Sequence, residues 1–170
     1  MIQTVELPIE QLRESEYNPR TISKDQFEAL KRSMREDPGF MEVRPLIVNS
    51  HAGRENVVIG GNMRLRAAKE LMKEGNAQWA KVPCRVVSVP EAVEKRWALK
   101  DNNSFGRYEQ DLLSKLVEEM DQLGEDITSI GFNEKDLDQI LYQGRDVAGT
   151  LEEDEFRPEE ALASTGGGRH

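Results

Sequence analysis

The sequence predicts an α+β protein: a small mixed domain of strands and intervening helices, followed by an acidic helical extension. Three observations carry this. Short apolar runs bounded by turn residues, among them 44-RPLIVN-49, 56-NVVIG-60 and 82-VPCRVV-87, read as strands. Between them, residues 24–36 and 62–73 repeat apolar side chains at helical spacing. Beyond about residue 90 the strand signals stop and every periodic segment is helical.

Residues 2–7, IQTVEL, read as a first strand, and PIEQLRES as a turn of helix after it. The polar loop 17-YNPRTIS-23 follows. Asn18 stands before a proline and is biased away from helix, and Ser23 suits an N-cap. Phe27, Leu30 and Met34 line one side of the next helix, which DPG stops. The strands 44–49 and 56–60 are joined by the turn HAGRE. Leu65, Ala68, Leu71 and Met72 give the helix over 62–73 an apolar side, and Gly75 closes it. After the strand 82–87, Pro90 opens a helix to about Lys100, and 101-DNNSFG-106 interrupts it. Leu112, Leu113, Leu116, Val117 and Met120 mark an amphipathic helix over 108–123, and a Gly131–Phe132 turn precedes a last helix over 133–142. From about Gly144 the acidic residues, Pro158 and a terminal GGG indicate a disordered tail. The chain therefore divides into a domain over 1–100, a helical extension over 101–143 and an acidic tail over 144–170.

Composition narrows the partners. Hydrophobic content of 37% against 32% charged residues suits a soluble chain with a modest core. No apolar run approaches the ~20 residues of a membrane span, so no membrane partner is expected. The start MIQTVELPIEQL lacks a basic region followed by an apolar block, so a cytoplasmic location is expected. The single cysteine, Cys84, excludes an internal disulfide, and its strand context makes it a buried structural thiol. One Cys and two His argue against a zinc site, and no metal ligands are assigned. The net charge of −9 is uneven: residues 1–100 balance at +3, whereas residues 101–170 balance at −12. The second part would repel a polyanion, so direct DNA binding is expected to be weak or absent.

The most informative stretch is 57-VVIGGNMRLRAAKEL-71, a strand passing through two glycines into a helix. The first amides of a helix lack internal partners and lie at the positive end of its dipole, so anions bind there. Gly60 and Gly61 allow close approach, and Arg64 in the first turn can curl over the same spot. Arg66 lies about 200° further round the axis, so the two arginines cannot share one face. One of them is structural or meets another part of the ligand. The stretch reads either as a phosphate cradle or as a tight turn with a solvated basic edge. It is neither a Walker A sequence nor a dinucleotide fingerprint. Two further segments offer polar ligand groups: Asn18 and Arg20 in the YNPR loop, and Asp101 and Asn102 in DNNS, each readable also as turn or capping residues.

In their order, the N-P-R loop, R-P-L-I-V, the strand into G-G-N-x-R-L-R-A-A and V-P-x-x-V resemble the ParB/sulfiredoxin-like superfamily over about residues 2–88. The continuation W-A-L-K-D-N-N, D-L-L-x-x-L and I-G-F-N-E-K-D-L resembles a phage and prophage branch found beside DNA-modification methyltransferases. The resemblance implies binding of a nucleoside triphosphate, CTP or ATP, with Mg²⁺. It implies Gly60, Gly61, Arg64 and Arg66 in the phosphate turn, Asn18 and Arg20 lining the same pocket, and Asp101 and Asn102 at phosphate and metal. Asn62 belongs to the expected nucleotide site too, but sulfiredoxins place their catalytic Cys there and partition proteins a Glu that supports hydrolysis. Asn supplies neither a nucleophile nor a base. The partition proteins' following arginine position is Phe105 here, with Arg107 two further on, and their basic helix-turn-helix is replaced by acidic helices. The implied function is nucleotide binding with weak or no hydrolysis, in service of a phage or prophage DNA-modification or DNA-processing system. A methyltransferase or another DNA-processing protein is the implied partner. Two alternatives stand beside it. One is an NTP hydrolase, kinase or nuclease of the same fold using Asp101 or Glu55. The other is an acidic adaptor or inhibitor that binds a basic protein.

Overall fold

The computed structural model describes residues 1–18, 20–103 and 110–146, with backbone alone at 129, 130 and 143–146. Its strands β1 (Thr4–Pro8), β2 (Arg13–Glu14), β3 (Leu46–Asn49), β4 (Val57–Gly60) and β5 (Lys81–Val87) form one mixed sheet in the order β1-β5-β3-β4-β2. The outer pair β1–β5 and the inner pair β3–β4 are antiparallel, whereas β3–β5 and β2–β4 are parallel. With several helices on the sheet, the architecture is the mixed class expected.

β4 explains the layering. All four of its residues are buried, which a strand shows when both faces are covered. Val58 joins Leu46, Val48, Val82 and Cys84 in the main core, with Leu65, Ala68 and Leu71 of α3 (Asn62–Lys73) and Met34 of α1 (Lys24–Glu36). Val57 and Ile59 alternate with Val58 and so face the opposite layer, where α4 (Glu91–Asn102) packs on β4. Burial in the main core pushes the Cys84 thiol up to about 12, helped by the charge of Glu6, as befits a structural cysteine.

The helix ends follow local rules. Ser23 caps α1 in a full capping box with Gln26. The nearly buried Lys31 ties α1 to Glu74 at the end of α3. Three details differ from the sequence expectation, one of them that α4 continues through Asp101 and Asn102, which were expected to interrupt it. Only Ile9–Gln11 of PIEQLRES form a helical turn, of the 3₁₀ type, and Arg13–Glu14 extend beside β4. There Arg13 donates its amide to Asn56 O at 2.8 Å and its guanidinium to Glu55 O, and this pairing overrides local helical preference. In addition, Phe40–Val43 make a short helix, α2, that ends at Arg44 because Pro45 disfavours helical backbone in the residue before it.

The extension comprises α5 (Gln110–Gln122), a 3₁₀ turn (Ile127–Ile130) and α6 (Glu134–Asp146). Val117, Leu137 and Ile140 bury a small core of their own, and the 3₁₀ turn rests on α1. Residues 104–106 of the expected helix break and residues 147–170 of the expected tail lie outside the described residues, while α6 runs on through Asp146. Among the described residues no helix is long and apolar enough to cross a membrane.

Candidate functional site

β4 turns into α3 through Gly61, whose φ of 95° places it in the left-handed region. A Cβ there would lie 2.5 Å from Leu46 Cδ2 and 3.0 Å from Arg64 Nη2, so only glycine fits. Gly60 has a different role: a Cβ there would press at 3.2 Å on Asp101 Oδ2, so the missing side chain makes room for the end of α4. No side chain caps α3, and its first intrahelical bond runs from Leu65 N to Gly61 O at 2.9 Å. The amides of residues 62–64 stand ahead of that bond, free to receive an anion.

These amides open into a cavity of about 770 Å³, within the range of small-molecule sites. Seven of the residues singled out in the sequence line it together: Asn18, Arg20, Gly61, Asn62, Arg64, Asp101 and Asn102. Three others are not in the lining: Gly60, which lies under the end of α4, and Arg66 and Glu55, which are placed elsewhere. Arg66 points away and makes a two-pronged ion pair with Glu14, at 2.9 and 2.8 Å. Glu55 is exposed on the β3–β4 turn and does not line the cavity.

The side chains in the cavity differ in how much of their bonding capacity the protein uses. Asn62 is 5% exposed and fully engaged: its Oδ1 accepts from Ser15 N and its Nδ2 donates to Val58 O, each at 2.9 Å. It stitches the loop after β2 to the β4 strand. Asn18 Oδ1 accepts from Arg20 N at 3.2 Å, shaping the lip of the cavity. Asn102 donates Nδ2 to Ala98 O at 2.7 Å, four residues back on α4.

Arg64 is the centre of the site. Its guanidinium folds back over Gly61 and donates to the carbonyl of Arg44. Burial, reinforced by the nearby charge of Arg44, pulls its pKa below the usual arginine value, and the Asp101 charge only partly opposes this. Among the described residues Arg20, Arg44 and Arg64 make no ion pair. Three guanidiniums without a carboxylate partner among the described residues therefore share one cavity with the first amides of α3, a combination that suits an anion. Asp101 supplies one carboxylate beside it. No group of three or more His, Cys, Asp or Glu is placed to hold a metal by itself among the described residues.

Sequence reasoning missed Arg44, and Phe132 and Asp136 of the extension, which also line the cavity. The R-P pair before a buried strand was a signal for Arg44, since Pro45 sets its backbone. Asp136 N donates to Asn133 Oδ1 at 2.8 Å, and that N-x-x-D capping pattern was legible. Its position over a cavity built largely by residues of the first half of the chain was not.

The fold is thus a small α+β domain whose glycine turn and first helix amides open into a cavity lined by arginines. The chain belongs to the ParB N-terminal domain family, whose sequence pattern matches residues 1–103. Its fold is similar to that of the C-terminally truncated chromosome-partitioning protein ParB from Caulobacter crescentus complexed with CTP-γ-S, at a TM-score of 0.65 and 20% identity, covering 82% of this chain and 77% of that one. The same ParB complexed to the centromeric parS site aligns at a TM-score of 0.45 and 19% identity, covering 81% and 70% of the two chains. No curated protein matches the sequence. At these identities the likeness carries the fold alone.

Proposed function

We propose that this protein binds a nucleoside triphosphate, CTP first among the candidates, and hydrolyses it slowly or not at all. The observation that carries the reading is that Arg20, Arg44 and Arg64, none of them in an ion pair among the described residues, line one cavity with the first residues of α3. The CTP-γ-S complex of the similar ParB fold supports the choice of nucleotide. On this reading the amides of residues 62–64 with Arg64 and Arg44 take the phosphates, and Asn18 and Arg20 approach the rest of the ligand. A Mg²⁺ ion fits beside Asp101, because Mg²⁺ takes one or two carboxylates together with phosphate oxygens. It would neutralise phosphate charge there. Asn62 cannot serve as a base, and its amide is already spent on Ser15 and Val58. An enzymatic role would therefore fall to Asp101.

The system served is proposed from the motifs of α4–α6, which support a role beside a phage or prophage DNA-modification enzyme such as a methyltransferase. Residues 110–146 carry 3 Lys+Arg against 10 Asp+Glu. That balance favours a protein partner over direct contact with DNA. Calorimetry with CTP, ATP and GTP plus Mg²⁺ tests the nucleotide reading. Wild type is expected to bind one of them, and Arg64→Ala to lose at least ten-fold in affinity, since a charge-assisted contact contributes about 1.5–3 kcal/mol. Absence of binding to all three, or unchanged affinity in Arg64→Ala, sinks it.

A further inference from the structure

The two walls of the cavity are joined by a polar cluster outside it, centred on Arg54 of the β3–β4 turn. Glu94 of α4 is 0% exposed, and both its oxygens are held by the Arg54 guanidinium, through Nε at 3.0 Å and through Nη2. Asn49 Nδ2 adds a third bond to Glu94 at 2.8 Å. The outer edge of the same guanidinium grips Glu16, with Nη1 at 2.6 Å and Nη2 at 3.2 Å. It also lies 5.3 Å from the centre of the Tyr17 ring, whose other neighbour is Lys95 Nζ at 4.3 Å. The Tyr17 hydroxyl donates to Glu91 in the first turn of α4. One guanidinium therefore connects the residues just before Asn18 with the first half of α4.

The seat of α4 combines this cluster with apolar packing on β4. Glu94 and Ala98 are its buried residues, with Val93 and Trp97 half-buried beside them, so a charged side chain holds one of the two innermost positions of the helix. Asp101 stands seven residues after Glu94, about two turns, and so faces the same side of the helix. Holding Glu94 thereby aims Asp101 at Gly60. At the other wall, Glu16 and Tyr17 immediately precede Asn18. A buried ion pair contributes little net stability compared with well-packed apolar residues, but a planar, forked guanidinium fixes direction as well as distance.

We propose that Arg54 is a positioning residue for the nucleotide cavity, setting the separation between the Asn18–Arg20 lip and the α4 wall that carries Asp101 and Asn102. This rests on the nucleotide-binding reading above. Arg54→Lys keeps a positive charge beside Glu94 but cannot span Glu94 and Glu16 in one plane. It is expected to lower nucleotide affinity about ten-fold at temperatures well below its melting point, as supporting residues of a site typically do. Hydrogen exchange without ligand should rise together in residues 15–22 and in residues 98–103. Val82→Ala, which removes buried volume from β5 outside the cavity, serves as the control: it should lower the melting temperature and leave affinity and exchange in those two segments alone. Tyr17→Phe, which removes the hydroxyl that bonds Glu91 and leaves the Arg54 cluster otherwise intact, repeats the test at smaller amplitude and stands in if Arg54→Lys does not fold. Unchanged affinity, a loss no larger than that of Val82→Ala, or increased exchange in just one of the two segments overturns the proposal. If wild type binds no nucleotide, the functional reading fails, and the positioning role is then decided by the exchange data: a joint rise upholds it and anything else removes it.

Discussion

Asn62 illustrates how a residue's type and its role separate. The resemblance read from the sequence expects it at a nucleotide site, and it does line the cavity. Yet both ends of its amide are bound to backbone, 5% exposed, between Ser15 and Val58. Asn62→Ala would leave a buried N–H and a buried C=O without partners. It is expected to cost about 1–3 kcal/mol in urea unfolding. The loss is expected mainly in stability, because the phosphate-binding amides and Arg64 are unchanged. An Asn62→Ala protein as stable as wild type would show that the stitch contributes nothing. Arg64 and Arg66 make a complementary pair of cases. Their angular separation was legible from helical geometry, and so was the conclusion that they serve different purposes. Which one faced the cavity depended on Glu14, a residue 52 positions away from Arg66 that claims it as an ion-pair partner.

Among the elements, α4 carries the clearest pH dependence. Burial works to raise the pKa of Glu94, but hydrogen bonds from Arg54 and Asn49 more than offset it and hold the carboxyl below its ordinary 4.5. The Arg54 hydrogen bond likewise brings Glu16 down to about 2, and Tyr17 and Lys95 lower Glu91. Carboxyls depressed in the folded state add stability that is complete above their unfolded value and is lost as pH falls through the folded one. The urea midpoint is therefore expected to be level from neutral pH to about 5, then to fall between 4.5 and about 2. Glu94→Gln should remove part of that fall, with the remainder left to exposed Glu16 and Glu91, whose pairs are screened by solvent. An acid profile identical to wild type would remove Glu94 from the account. Element types and most helix bounds were readable locally, from apolar spacing, the Ser23 cap and the DPG stop. The strand β2 was not, because two residues carry too little periodicity and only the edge of β4 makes them extended.

At the scale of the molecule, two cores of unequal size coexist. Among the described residues the main core joins fourteen buried residues, most of them from the sheet, α1 and α3, whereas the extension has three. Amide exchange is expected to be slowest in β3, β4, β5 and α3 and markedly faster in α5 and α6, since local opening follows buried contact. Equal protection in both parts would show that the extension is welded to the domain. If nucleotide bridges the cavity, Phe132 and Asp136 place the extension on its rim, and exchange in α6 should slow on binding. Taken alone, the sequence determined the mixed class, the order of helices and strands, the anion-ready glycine turn and the acid bias of the second half. Each of these is local or additive: a period, a missing Cβ, a sum of charges. Only the tertiary structure decided that Arg44 completes a trio with Arg20 and Arg64, that Asn62 is spent on backbone, and that Arg54 joins two cavity walls. Those are facts about distances between residues 20 to 50 positions apart, which the sheet order and the seat of α4 create and no local pattern encodes.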